Sequence, residues 1–355
     1  MNYLSDKAKS VIPYTPGEQP QNKKYIKLNT NENPYPPSPQ VLKQIKEYDV
    51  KELRLYPDPE NTALRVALAE REGVRPEQIF CSNGSDEVLA FCFQAFFNPE
   101  GLPVLFPDVT YSFYTVYADI FGIPYQTVPL DGQLRINHFD YCRANGGAII
   151  ANPNAPTGIY LSLEKLLTVI KYNLEKSLVI LDEAYIEFGG QSGAPLIGDY
   201  PNLLIVRTLS KSHSLAGLRV GYAIGDEGLI AGLKNIKNSF NSYLLDRLAC
   251  AGAVAAIRDE SYHRETMLKI TRTREYTVDR LSDLGFMIPD SKANFIFVSH
   301  PEVKAGELFA YLKEQGILVR YFDKPRIDNY LRISIGTDQE MDILVKQLER
   351  YLQKR

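Results

Sequence analysis

Four short apolar runs, at 104–106 (Val-Leu-Phe), 148–151 (Ala-Ile-Ile-Ala), 178–181 (Leu-Val-Ile-Leu) and 203–206 (Leu-Leu-Ile-Val), carry no polar residue at alternate positions. A strand with one wet face alternates; a strand without alternation is covered on both faces, as in a parallel sheet flanked by helices. The spacers between the runs have room for helices, so the sequence predicts an α/β fold built on a mostly parallel sheet. A chain of 355 residues has room for a second domain as well. The pattern turns helical over 228–280, strand signals return at 295–298, 317–320 and 330–335, and a closing helix over 339–352 places Met341, Leu344, Val345, Leu348 and Leu352 at helical spacing. Residues 246–355 are therefore expected to form a smaller α+β domain, and 46–245 the large one. The segment 1–45 is expected to be an arm that completes the small domain, because Pro34, Pro36, Pro37 and Pro39 bar a long helix or a central strand.

Charge and composition exclude several functions. Forty Lys+Arg against 43 Asp+Glu give a net charge of −3, no basic field for a polyanion, and so no general nucleic-acid partner. A small anion is still compatible, since a few arginines in one pocket suffice. Residues 1–17 carry Asp6, Lys7 and Lys9 with no apolar core, unlike a secretory signal. The longest apolar runs, 88–97 and 249–257, are about half the ~20 residues of a membrane span and read as buried helices. Four scattered cysteines, and four histidines without ligand spacing, predict a reduced, cytoplasmic protein with no metal.

In such sheets ligands sit beyond the carboxyl ends of the strands, so the residues after each run matter most. Gly84-Ser85-Asp86-Glu87 follows Ile79-Phe80-Cys81 and opens a helix over 87–97, offering N–H groups and a hydroxyl to a phosphate; an ordinary helix cap fits the same residues. Asp182 ends the third run, with Tyr185 three residues on, and a helix-capping role explains it equally well. Lys211 follows the fourth run through Arg207-Thr208-Leu209-Ser210, with Gly217, Arg219 and Gly221 close behind. Alone it reads as a surface lysine; in that hydroxyl- and glycine-rich turn it reads as an amine near a phosphate.

A phosphate cradle, an acid and a lysine at the ends of one sheet narrow the choice, and further segments narrow it again. Leu28-Asn29-Thr30-Asn31-Glu32-Asn33-Pro34, Tyr56-Pro57-Asp58-Pro59, Gly84-Ser85-Asp86-Glu87, Asn152-Pro153-Asn154-Ala155-Pro156-Thr157-Gly158, Asp182-Glu183-Ala184-Tyr185 and Thr208-Leu209-Ser210-Lys211 with Ala216-Gly217-Leu218-Arg219 appear in this order. Together they resemble the fold-type I, class II pyridoxal-phosphate aminotransferases, most closely the histidinol-phosphate branch. The resemblance spans essentially the whole chain and implies a seven-stranded sheet, pyridoxal 5′-phosphate as cofactor, and a homodimer with shared active sites.

The same resemblance assigns roles. Lys211 joins the cofactor and then shuttles a proton, Asp182 keeps the pyridine nitrogen protonated, and Tyr185 bonds the ring 3-oxygen. Gly84, Ser85, Asp86, Thr208, Ser210 and Arg219 take the cofactor phosphate, and Tyr111 stacks on the ring. Tyr56 reaches the cofactor of the neighbouring subunit. The asparagine this family often carries just before Pro-Thr-Gly is Ala155 here, which leaves Asn154, or else Asn152, to contact the 3-oxygen. Arg332 and Arg320 are expected to grip the anionic groups of the substrate, with Tyr14 and Asn33 closing over it; surface pairing with Asp323 or Asp328 is the plain alternative for the arginines.

The implied reaction exchanges the amino group of L-glutamate with imidazole-acetol phosphate, giving 2-oxoglutarate and L-histidinol phosphate. An aromatic amino-acid aminotransferase and a threonine-phosphate decarboxylase share most of these motifs. A serine-lysine hydrolase is excluded because Thr208 stands where its serine belongs. A nicotinamide dehydrogenase is excluded because Gly217, Gly221 and Gly225 lack the required spacing. A cofactor-sensing regulator would need a DNA-binding module, for which the chain has no room.

Overall fold

A computed structural model describes residues 3–20 and 25–354. Its strands are β1 (Ile26–Lys27), β2 (Ile79–Asn83), β3 (Val104–Pro107), β4 (Tyr125–Val128), β5 (Gly147–Ala151), β6 (Val179–Asp182), β7 (Leu203–Thr208), β8 (Val220–Gly225), β9 (Phe295–Val298), β10 (Ile317–Leu318), β11 (Arg320–Tyr321) and β12 (Leu331–Ser334). Seven of them form one sheet in the order β2-β8-β7-β6-β5-β3-β4. Strands β3 to β7 pair in parallel, and β8 runs antiparallel between β7 and β2.

The four apolar runs lie in β3, β5, β6 and β7, and every residue of these strands is buried. Their side chains divide between two cores. Leu105, Ile150, Leu181 and Ile205 face one helical layer, and Phe106, Ile149, Ile180 and Leu204 face the other. Each such aliphatic side chain contributes about 1.5–3 kcal/mol by leaving water, which is why these strands need no alternation.

Two strands of this sheet escaped the sequence reading. Strand β8 is fully buried, but Gly221 and Gly225 interrupt its apolar run, so 217–221 read as a turn. Strand β4 (Tyr-Gln-Thr-Val) lies at the sheet edge with three exposed residues and has no apolar run to find. The helix after β2 spans Gly84–Phe96 and so begins three residues earlier than expected.

A third core lies around the antiparallel sheet β11-β12-β9. The closing helix, Asp338–Gln353, buries Met341, Leu344, Val345 and Leu348 against it and starts at a Thr337–Glu340 capping box. The run at 317–320 is two strands: Ile317–Leu318 pairs with β1 from the arm, and Arg320–Tyr321 pairs with β12. Among its described residues the arm is mostly extended, with a short helix at Asp6–Ser10 and a second, Pro39–Lys46, at its end. No helix among the described residues is long and apolar enough to cross a membrane.

Candidate active site

Asp182 is the last residue of β6 and Thr208 the last of β7. Because β8 is antiparallel, Gly221 pairs with Thr208 at the same edge and with Ser82 on its other side. Ser85 lies in the first turn of the helix that leaves β2 there. Position along parallel neighbours thus brings residues far apart in sequence to one rim.

At that rim the helix Gly84–Phe96 presents first-turn N–H groups that have no intrahelical acceptor. Gly84 has φ +83°, and a Cβ there would collide with the Arg219 guanidinium; one on Gly221 would collide with the Ser85 N–H. Both positions require glycine for close approach. Arg219, itself left-handed at φ 54°, donates to Asp86 at 3.0 Å, and the Tyr111 hydroxyl donates to the other Asp86 oxygen at 2.6 Å. Beside them the Thr208 and Ser210 hydroxyls lie 3.0 Å apart. Donors suited to an anion are assembled here, and the glycines are what let them approach one another.

Asp182 is only 5% exposed. The Tyr114 hydroxyl donates to one of its oxygens at 2.7 Å and the Ala184 N–H to the other at 3.2 Å. Burial pushes its pKa up to about 6, against the pull of these two donors, so the carboxylate form still predominates at neutral pH. Tyr114 was not foreseen; it stands one helical turn beyond Tyr111 in the helix Phe113–Phe121, and that spacing was its only signal.

Lys211 donates to the Thr30 carbonyl at 3.0 Å, and its ammonium lies 6.0 Å from the centre of the Tyr185 ring. Burial, with Arg332 nearby, lowers its pKa to about 8. Arg332, on β12, donates to the Asn29 carbonyl at 3.0 Å, lies over the rings of Phe295 and Phe322, and keeps a buried Nε without a partner. Arg320 donates to the carbonyls of Thr15 and Pro16, at 3.0 and 3.2 Å. Neither arginine takes a carboxylate partner among the described residues. Tyr14 stacks on Phe113 with ring centres 4.4 Å apart.

Other expected residues are placed differently. Asn33 spends its amide on the carbonyls of Lys211 and Ser212, bracing the lysine's backbone. Asn154 donates to Val109 O and Thr157 Oγ1 and accepts from Thr110, while Asn152 exchanges both its amide bonds with Leu161. Tyr56 lies at the surface, 76% exposed, stacked on Tyr243. The fold also brings together Glu187, His213 and His263, with polar atoms within 4.8 Å of one another, although Arg71 and Ser212 already hold the Glu187 carboxylate.

This donor set fits pyridoxal phosphate: an amine with a depressed pKa, a buried carboxylate at the strand end, and a helix terminus where two glycines let Arg219 and β8 close up on the Ser85 N–H. The comparisons agree. Residues 23–348 match the family model for aminotransferase class I and II. The chain is 50% identical over 352 residues to the histidinol-phosphate aminotransferase of Clostridium botulinum (strain Langeland), covering 99% of both, and 52% identical over 349 residues to that of Brachyspira hyodysenteriae, covering 98% of both. Among solved structures, the histidinol-phosphate aminotransferase from Sinorhizobium meliloti in complex with pyridoxal-5′-phosphate superposes with a TM-score of 0.88 at 26% identity, over 100% of this chain and 98% of that one.

Proposed function

The chain belongs to the class I and II aminotransferases, and from that membership we propose that it transfers an amino group between L-glutamate and imidazole-acetol phosphate in histidine biosynthesis, with pyridoxal 5′-phosphate as cofactor. The observation that carries this reading is Lys211, an amine with a pKa near 8, at the same sheet edge as Asp182 and the Arg219-lined helix terminus. Full-length relatives of that name at half identity support the substrate.

When bound, pyridoxal phosphate supplies an electron sink for the charge left on the substrate carbon that loses its proton. The chain's own residues do the rest. Ser85 and Asp86, with Thr208, Ser210 and Arg219, would hold the phosphate at the helix terminus, where Gly84 and Gly221 let Arg219 and β8 approach the helix start closely. Tyr111 would cover one ring face, Tyr185 would address the ring oxygen, and Asp182 would hold a proton on the ring nitrogen. Lys211 would be the residue that attaches the cofactor, and its freed amine the base that moves the proton of the substrate carbon. Its lowered pKa leaves part of it neutral at physiological pH, as a base must be.

Arg332 and Arg320 receive the anionic groups of the substrates. The carbonyls that Arg320 now binds are weaker partners than a phosphate, which can replace them, and Tyr14 and Asn33 belong to the segment that closes over this end. Separate cores support reading 46–245 as the cofactor-binding domain and most of 246–355 as the smaller one, with Val41 of the arm and helix Arg247–Arg258 packing into the larger core. The exposed apolar side chains of Val50, Leu53, Tyr56, Phe240 and Tyr243, with Tyr56 stacked on Tyr243, support a homodimer in which Tyr56 would reach the partner's cofactor.

The aromatic rings around Arg332 and Tyr14 favour one second reading, an aromatic amino-acid aminotransferase. Steady-state assays with 2-oxoglutarate separate the two: kcat/KM for L-histidinol phosphate is expected to exceed that for L-phenylalanine by about 100-fold, roughly what a buried phosphate–arginine contact provides. Equal values would move the function to aromatic substrates, and carbon dioxide release from threonine phosphate would move it to decarboxylation.

The cradle gives its own prediction. Gly221→Ala places a methyl against the Ser85 N–H, so pyridoxal-phosphate affinity should fall at least ~10-fold and stability by about 1–3 kcal/mol. Cofactor titration and denaturant melts measure both; unchanged affinity would remove the phosphate from this corner.

A further inference from the structure

Asn31 is 1% exposed and sits in the left-handed region at φ 55°, which asparagine tolerates better than most residues. Its backbone N–H donates to Ser334 Oγ on β12 at 2.8 Å. The Ser334 hydroxyl has a single hydrogen, and that hydrogen goes to Asn31 Oδ1 at 3.0 Å. This pair of bonds fixes the amide. Nδ2 faces the other way and donates to the Tyr185 hydroxyl oxygen at 2.9 Å. Asn294 anchors the same turn by donating to the Asn31 carbonyl.

A phenol that accepts from an amide keeps its own hydrogen free, and the described residues offer Tyr185 no acceptor for it. The surroundings supply no substitute donor. The residue before Pro156 is Ala155, whose methyl packs beside Tyr185 with Ala293 and Phe295, and the Asn152 and Asn154 amides donate elsewhere.

We infer that Asn31 is a positioning residue of the transamination site: by donating to the Tyr185 oxygen it turns the phenol's hydrogen toward the ring oxygen of the cofactor, and through Ser334 it ties that donor to the strand that carries Arg332. The inference rests on the function proposed above. Asn31 touches no substrate; it acts through Tyr185.

The readout is the pH midpoint of the visible absorbance of the cofactor-loaded protein. A donor at the ring oxygen favours its ionised form, so weakening that donor lets the oxygen and the amine beside it hold their proton to higher pH. The groups facing Tyr185, namely Arg332 from β12, Asp182 from β6, Tyr14 from the arm and Lys211, are unchanged in the variants. Asn31→Gly, which keeps the left-handed backbone, should raise the midpoint by about half a pH unit or more, and the shift should vanish in a Tyr185→Phe background. Asn31→Asp keeps the Ser334 contact and serves if the glycine variant does not fold; its shift should be smaller in Tyr185→Phe than in wild type. A midpoint that does not move, or moves equally with and without the phenol, overturns the inference while the proposed function stands. A wild-type protein with no cofactor absorbance overturns both, and so separates the two failures.

Discussion

Lys211→Ala is expected to lower turnover by about 10⁴-fold or more, because one amine is both the attachment point and the group that moves the proton. Lys211→Arg should be nearly as inactive: its charge is retained, but a guanidinium does not give up a proton at neutral pH. Both variants should fold, since Lys211 leaves only the Thr30 carbonyl without its donor and that carbonyl can turn to water. A Lys211→Ala protein with near-normal turnover would refute the role. In the wild type, capture of pyridoxal phosphate should speed up as pH rises toward about 8, where the amine loses its proton, and then level off. A lysine in water would show that rise about 2.5 units higher.

Asp182→Asn is expected to lower turnover by about 10²–10³-fold with little loss of cofactor, since the amide keeps the shape but not the charge that holds the ring proton. The Tyr114 hydroxyl modulates this group. Its bond favours the ionised form of a carboxyl whose pKa burial has already lifted to about 6. Tyr114→Phe removes a contribution that lowers the pKa, so the pKa rises and the acid limb of the pH–rate profile moves to higher pH. A profile displaced to lower pH, or not at all, would show that Tyr114 does not govern the charge on Asp182.

What was legible in the sequence divides along physical lines. Asp182, Thr208 and Lys211 could be found because uninterrupted apolar runs mark buried parallel strands and ligands gather where such strands end. Gly84 and Ser85 could be found because they open a helix after a strand. Strand β8 could not, because the glycine that admits the Ser85 N–H also breaks the apolar run that would have revealed it. The bond from Tyr114 to Asp182 and the bond from Asn31 to Tyr185 join residues 68 and 154 positions apart, and no local pattern encodes either. Arg320 was legible as a residue type, but its hold on the carbonyls of Thr15 and Pro16 depends on the path of an extended arm whose sequence specifies no register. The segment Asn29-Thr30-Asn31 was visible as a motif, yet its contacts to Arg332, Lys211 and Tyr185 depend on how β12 meets the large sheet.

The central claim is that this rim holds pyridoxal phosphate on Lys211 and passes an amino group to and from a phosphorylated imidazole substrate. The most direct test is the visible absorbance of the cofactor-loaded protein as L-histidinol phosphate is added without an acceptor, beside a parallel sample given L-phenylalanine. The account predicts that the band is lost at far lower concentrations of histidinol phosphate than of phenylalanine, and that 2-oxoglutarate restores it. An equal or stronger response to phenylalanine would contradict the substrate, and a loaded protein without the band would contradict the cofactor site itself.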